Sequence, residues 1–407
     1  MARPPIRPWF QAALAALALA AATGALLRGA LAFGWDLGAS LGNVRHAHSH
    51  AMYFAWVTPA LFLLMAHRAG ALSRPTAHAI GAALSLGAIT HPLFLRFGYS
   101  SVAIGDARLP LSAMACGLAV LAWYAYVGLF ARRTRGRTGD GTLLAWRLAL
   151  GVLVLSTLAV WPLSLLRPLG LDAARLTPVL SHAFLDPFSE GFLVLAVLGL
   201  AYAERGARPP RWALYTLALA ALPMFPLGLA PGLLPMEARC IASAASIAWG
   251  VALLALLRTL AGLHRRWRAP LALGAGAALA RIVAGAAPWI DWSAAHGLRI
   301  LYLHALLLGF VSLGVLAAAR ALLGRRGVPF HGLVQASALS VIAALLPLSE
   351  AWPRAWSGRW IAVAAALTAA LSAVVLIASF TASLLPRRPR RTALRTFDRP
   401  LFGPSSA

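Results

Sequence analysis

The sequence predicts an all-α, polytopic membrane protein, and three observations carry this prediction. Of the 407 residues, 60% are hydrophobic and only 12% are charged, whereas a soluble domain averages about 45–50% apolar residues. The apolar residues form about twelve runs, each close to the roughly 20 residues that cross a bilayer. Each run is predicted to be a helix, because in lipid every backbone N–H and C=O must be paired within its own segment.

The order of the runs defines the predicted elements. The spans lie near residues 9–28, 46–66, 76–95, 109–131, 143–166, 182–203, 211–229, 237–258, 270–288, 299–320, 331–350 and 360–385. The first run is longer than the roughly 7–15-residue core of a secretory signal, so we interpret it as an uncleaved helix. We expect one transmembrane helical domain over 1–385 and a basic cytoplasmic tail over 386–407 that is disordered.

The charge pattern predicts orientation. The net charge is +25, and every basic residue is arginine. Most arginines cluster in alternate short loops, which is the pattern of membrane topology and does not indicate nucleic-acid binding. An even number of spans with both termini cytoplasmic follows, and the opposite side is called the outer face below.

Several other functional classes are excluded by the residues present. Cys116 and Cys240 both fall inside predicted spans and form no CxxC pair, which argues against a disulfide framework. The sequence contains no phosphate-binding loop, nucleophile elbow or dinucleotide fingerprint.

Histidines are concentrated on the outer side. Polar side chains inside a membrane are costly and usually mark a site. An ordinary interfacial role for these imidazoles stays open as the alternative. The histidines in the outer half or outer loops are His46, His48, His50, His91, His182, His296 and His304.

The stretch HAHSH opens span two. On a helix, His46 and His50 share one face, one turn apart, while His48 projects to another side. One imidazole is therefore placed to face the bundle interior while another meets a second ligand. The alternative is a helix start wetted by the interface, with His46 as a cap.

His304 in span ten lies at the same depth as the histidines of span two. Haem iron takes axial donors at matched depth from facing helices, so His48 and His304 are the predicted axial pair. Arg45 and Arg299, at the same surface, are placed to meet the haem propionates. Small residues in span ten let a flat cofactor approach closely.

The stretch SHAFLDPFSEGF sets His182, Asp186 and Glu190 at four-residue steps, which on a helix forms one stripe. A metal site or a proton relay uses such a stripe. The alternative interpretation makes Asp186 an N-cap for a helix that starts at Pro187. His91 is a further candidate, since imidazole suits copper and iron.

Two family resemblances follow from these residues. The stretch H-S-H-A-M-Y-F-A-W, 48–56, resembles the H-A-H-E-M-x-F-G-F signature of the NnrS family. The opening IRPWFQAALAALA resembles the family's start. The later part of the chain also resembles a late segment of the family, at His304, Gly309, Arg320, Gly324 and Gly327. This resemblance implies a twelve-helix bacterial inner-membrane protein that binds haem and copper in the response to nitric oxide or another small gas.

Span two is also similar to the second helix of haem–copper oxidase catalytic subunits, through His48, Met52 and Pro59. The chain departs from that pattern in span seven, which has no histidine, and at Tyr302, where the oxidases carry a second histidine. Ala51 replaces the glutamate of the NnrS signature.

The candidate ligands for a second metal site are His50, His46, His91 and His182. Catalysis is left open. The rival functions are a degenerate haem–copper oxidase or nitric oxide reductase-like subunit, and a proton-coupled transporter that uses His182 and Glu190.

Overall fold

Helices make up nearly all of the structure, a computed structural model that describes residues 5–137, 140–166, 170–287 and 289–385. The predicted tail, 386–407, lies outside the described residues. The α-helices are α1 (Ile6–Phe33), α2 (Leu41–His50), α3 (Thr58–Arg68), α4 (Arg74–Phe97), α5 (Leu111–Arg133), α6 (Gly141–Thr157), α7 (Val160–Leu165), α8 (Ala173–Asp186), α9 (Val194–Arg205), α10 (Arg211–Ala220), α11 (Met236–Thr259), α12 (Arg268–Ala286), α13 (His296–Leu303), α14 (Leu313–Gly327), α15 (His331–Leu345) and α16 (Arg359–Leu384).

Shorter elements join these helices. One antiparallel hairpin, β1 (Val102–Ile104) with β2 (Ala107–Leu109), occupies the loop between α4 and α5. The π-helical segments are π1 (Ala51–Val57), π2 (Pro187–Leu193) and π3 (His304–Ser312). The 3₁₀ turns are Phe225–Gly228, Arg265–Trp267, Leu346–Leu348 and Arg354–Trp356.

The all-α class and the multi-pass arrangement are confirmed. Within the described residues, 11 helices are long and apolar enough to cross a membrane. The seventh predicted segment, 211–229, differs, because α10 has 10 residues and so measures about 15 Å, half of a roughly 30 Å hydrocarbon core. Pro223 and Pro226 follow it, and proline cannot continue the hydrogen-bond ladder of a helix interior.

Three long helical units each contain one π segment: Leu41–Arg68, Ala173–Arg205 and His296–Gly327. The first two are the most buried spans, with 78% and 83% of their apolar stretches inside the protein. π-helical turns are rare and occur often at functional sites.

Side-chain contacts join the three π segments. The indole Nε1 of Trp56 in π1 donates to Ser312 Oγ in π3 at 3.1 Å. The ring of Tyr53 in π1 meets Phe188 in π2 edge-on, with centroids 5.5 Å apart. The two histidines predicted as axial ligands therefore sit on units that are joined at the core.

Glu350 caps the helix that leads to His304. Its carboxylate accepts the backbone N–H groups of Gly297 and Leu298 at 3.0 and 2.8 Å, at the positive end of α13. Burial acts to raise the pKa of Glu350, but the backbone donors outweigh it and hold the pKa below its ordinary value.

We expect Glu350→Gln to lower the free energy of unfolding by about 0.3–1 kcal/mol, because the charge at the helix terminus is lost. A carboxylate whose pKa is depressed on folding stabilises above its unfolded pKa and loses that effect as pH falls through its folded pKa. Thermal unfolding of wild type and variant should therefore differ at neutral pH and converge in acid. Asp106→Asn, in the exposed hairpin turn, is the control, and a difference that persists in acid would contradict the assignment.

Candidate ligand-binding cavity

A cavity of about 320 Å³ lies between α1, the unit from α2 to π1, the unit from α13 to π3, α15 and α16. Both His48 and His304 line it, together with Arg28 and Arg45. Most of the remaining wall is aliphatic, and none of the described residues that line the cavity is an aspartate or a glutamate.

The cavity is a slot that runs along the helix axes. On α1 its wall extends from Leu17 to Arg28, and on α16 from Ala365 to Leu376, a depth of roughly 16 Å at the rise of an α-helix. Arg28 and Arg45 lie at the end predicted to face outward, and the deeper wall is apolar. The slot therefore suits a flat or elongated molecule that is apolar at one end and anionic at the other.

The two cavity histidines are held in the same way. Nδ1 of His48 lies 2.8 Å from the carbonyl O of Ala20, and Nδ1 of His304 lies 2.8 Å from that of Ile300. A carbonyl only accepts, so both rings carry their proton on Nδ1 and keep the Nε2 lone pair for another partner. Neither Nε2 has a hydrogen-bond partner among the described residues, and this tautomer is the one that metal-bound histidines adopt.

Arg28 and Arg45 make no ion pair with the carboxylates of the described chain. Arg28 lies close enough to His48 and His304 for their charges to interact. Arg28 is half-buried and Arg45 is exposed, so the cost of an unpaired guanidinium beside apolar wall falls on Arg28, which gains from an anionic ligand. Sequence reasoning missed Arg28, although a lone arginine near the outer end of span one was the available signal.

Gly24 permits the close approach of the His48 ring to α1, because a Cβ added there would lie 3.0 Å from Cε1 and 3.1 Å from Nδ1 of that ring. We expect Gly24→Leu to displace the imidazole and to lower the unfolding free energy by about 1–3 kcal/mol. Gly151→Leu is the matched control, since a Cβ at Gly151 meets open space. Equal thermal midpoints for the two variants would show that the close approach has no consequence.

His46 and His50 lie on the other side of α2, which confirms the face predicted from their spacing. The His50 ring stacks on Phe94 with centroids 3.7 Å apart, and His46 meets Tyr99 edge-on at 4.9 Å. Burial raises the pKa of Tyr99 to about 12. Neither histidine lines the cavity.

His91 is buried behind α1 rather than in the cavity. Thr23 Oγ1 donates to the carbonyl O of Leu19 at 2.9 Å and lies 2.9 Å from His91 Nε2. The Thr23 hydroxyl proton is engaged in the bond to Leu19, so the hydroxyl oxygen accepts and His91 donates to it from Nε2. The imidazole therefore contributes to the packing of α4 on α1.

His182 belongs to a second polar cluster with Asp186 and Arg299. Its Nδ1 lies 3.0 Å from Asp186 Oδ2, and its Nε2 lies 2.8 Å from NH1 of Arg299. Arginine only donates, so Nε2 accepts and Nδ1–H donates to the carboxylate. Both ring nitrogens are thus occupied, and Arg299 contacts this cluster instead of the cavity.

The N-cap interpretation of Asp186 is wrong. Helix α8 runs without a break through Asp186 into π2, and its N-cap is Asp172, whose side chain accepts from the backbone N–H of Arg175. The chain stays helical across Asp186 and Pro187 because the whole unit, Ala173–Arg205, is packed inside the protein.

Glu190 in π2 forms a buried ion pair with Arg281 of α12. Oε1 accepts from Arg281 Nε at 3.0 Å, from a second Arg281 nitrogen, and from the Tyr302 hydroxyl at 3.0 Å. The Trp249 indole donates to the backbone carbonyl of Glu190 at 3.0 Å. Arg281 and Tyr302 were not among the predicted site residues, because their link to Glu190 is made across separate spans.

Within the part of the chain that the structure describes, no three His, Cys, Asp or Glu side chains are grouped as a metal site. The four histidines predicted for a second metal are thus distributed over three separate environments. Cys116 and Cys240 are free thiols. No protein-family model and no curated protein matches this chain.

Proposed function

We propose that this multi-pass membrane protein binds haem in the cavity, with His48 and His304 as axial ligands, and acts in the bacterial response to nitric oxide. One observation carries the proposal. Two imidazoles from different helical units line one cavity beside two unpaired arginines. Each imidazole is anchored through Nδ1 to a backbone carbonyl, and each has an Nε2 without a hydrogen-bond partner among the described residues. The resemblance of span two to the NnrS signature supports the same reading.

The donor set fits haem. Neutral imidazole is a common axial ligand, and the N–H···O=C anchor orients it and raises its basicity. Arg28 and Arg45 would hold the propionate carboxylates, for which the guanidinium fork is suited. The apolar wall deeper in the slot would enclose the macrocycle. When bound, haem would supply an iron centre that exchanges one electron, and a gas such as nitric oxide would have to displace one of the two histidines.

The orientation belongs to the same proposal. With both termini in the cytoplasm of a bacterial inner membrane, as the arginine distribution indicates, the cavity lies in the outer half of the bilayer. This orientation requires the chain between α9 and α11 to cross the membrane through the short α10 and the turns after it, in addition to the 11 long helices. Copper stays a second candidate, and metal analysis decides it.

The test is to purify the protein in mild detergent, record reduced-minus-oxidised spectra, and quantify iron and copper. We expect about one haem per chain with the spectrum of a bis-histidine centre, and a spectral change on exposure to nitric oxide. A colourless protein without iron would end the haem proposal. A second, five-coordinate haem with turnover would favour the oxidase-like alternative.

A proton-coupled transporter is the second candidate, because the His182–Asp186–Arg299 cluster places ionisable groups inside a membrane protein, where such groups often serve transport. It predicts no bound haem and a pH-dependent solute uptake that is lost in His182→Gln. Haem binding without such uptake would exclude it.

A further inference from the structure

Glu190 presents its two carboxylate oxygens very differently. Oε1 takes all the donors, from Arg281 and Tyr302. Oε2 is buried and has no hydrogen-bond partner among the described residues. Glu190 is 1% exposed. An orphan acceptor at this depth requires an explanation, because nearly all buried polar atoms in proteins are paired.

A proton on Oε2 removes this deficit without disturbing an existing bond. The protonated oxygen becomes a donor, while Oε1 continues to accept from Arg281 and Tyr302. Asp186 offers no equivalent position, because Oδ2 accepts from His182 and Oδ1 lies 3.5 Å from Arg299 NH2. Glu190 is thus the carboxylate of this region that has a free oxygen.

Ionisable side chains lie at graded depths between Glu190 and the outer face. The exposed fraction of the side chains falls from 30% at Arg299 through 13% at His182 and 9% at Asp186 to 1% at Glu190. Asp186 and Glu190 are four residues apart on one helical unit, so they lie on one side of it.

Tyr53 links this region to the cavity. Its ring forms part of the cavity wall, and its side chain interacts with Ser189, Asp186 and Glu190. Leu193, one turn after Glu190 in π2, also lines the cavity. A change of charge inside the cavity therefore acts on Glu190 through low-dielectric protein, where electrostatic effects are strong.

We propose that Glu190 is a proton-binding site that exchanges with the outer face along the Asp186 side of its helical unit and takes up a proton when negative charge is added to the cavity. The proton adds to Oε2 and converts the carboxylate to a carboxyl group. Where the added charge is an electron from a one-electron donor, the coupling rests on the proposed haem; proton binding by Glu190 does not. The charged and titratable groups that face it are Asp186 and His182 from α8, Arg281 from α12, Arg299 and Tyr302 from α13, and Tyr53 from π1.

The first test needs no haem. Infrared spectra of the purified protein are recorded across a pH titration in H₂O and D₂O. We expect a carboxyl C=O band that titrates, shifts in D₂O, disappears in Glu190→Gln and persists in Glu204→Gln, a matched change in the carboxylate paired with Arg266. Arg28→Gln removes a positive charge from the cavity wall, so the band should titrate at higher pH.

Identical carboxyl spectra in wild type and Glu190→Gln would overturn the proposal. If Glu190→Gln does not fold, Tyr302→Phe replaces it, because loss of the hydroxyl that donates to Oε1 of Glu190 should move the band frequency. An unmoved band in that variant is also contrary to the proposal.

The second test uses the haem-loaded protein. Proton uptake on reduction makes the midpoint potential fall as pH rises, and we expect this slope to shrink at least roughly twofold in Glu190→Gln but not in Glu204→Gln. An unchanged slope would refute the coupling. A protein without haem fails the proposed function instead, and the infrared titration still decides whether Glu190 binds the proton.

Discussion

The His304→Ala and His48→Ala variants are expected to lose the bis-histidine haem spectrum and to retain at least about tenfold less haem than the wild type. Loss even of a group that merely supports a metal ligand typically weakens binding about 10–100-fold, and these substitutions remove the donor atom itself. Haem content after purification, iron analysis and reduced-minus-oxidised spectra measure the effect.

His46→Ala and His50→Ala are the matched controls for these variants. They remove imidazoles from the same turn of α2, but those rings contact Phe94 and Tyr99 and do not line the cavity. Both should keep the wild-type spectrum. An unchanged spectrum in His304→Ala would exclude His304 as a ligand. Loss of haem in His50→Ala would show that haem binds on the His50 face of α2 and not on the His48 face.

Replacement of Arg281 by methionine is expected to destabilise the protein by about 3–5 kcal/mol, because it leaves the buried Glu190 carboxylate without its cation. Both side chains are largely inside the protein, with 12% and 1% exposure. The double variant Glu190→Leu/Arg281→Met should recover most of the loss, since replacing a buried ion pair by apolar residues is often neutral. Thermal unfolding in detergent measures both.

Arg135→Met, at an exposed position after α5, is the control for the loss of an arginine as such and should be near neutral. A double variant as unstable as the single one would show that packing of the Arg281 side chain, rather than its charge, supplies the stability.

Much of the fold follows from run length alone, because lipid admits only segments that pair their own backbone groups. The exception is span seven, where hydropathy continues through Pro223 and Pro226 but the helix ends at Ala220. The two prolines were visible in the sequence, and a count of apolar residues gave them no weight.

The candidate site was predicted in part. Depth along a helix can be read from residue numbers, and this predicted His48 and His304 at the same depth. In the structure both side chains line the same cavity. The direction around the helix axis was used for His46 and His50 but not for Arg299. Five residues separate Arg299 from His304, a rotation of roughly 140° after one full turn, so the two side chains leave the unit His296–Gly327 in different directions.

By itself the sequence determined that the chain is a bundle of membrane-spanning helices, and it predicted that seven of the eleven histidines lie towards one side, because hydrophobic length and residue position are properties of single segments. Only the tertiary structure decided which of those imidazoles share a space. It joined Arg28 to His48 and His304, and it joined Arg299 to His182 and Asp186. Such partnerships depend on how the helices pack and rotate against one another, and no single segment carries that information.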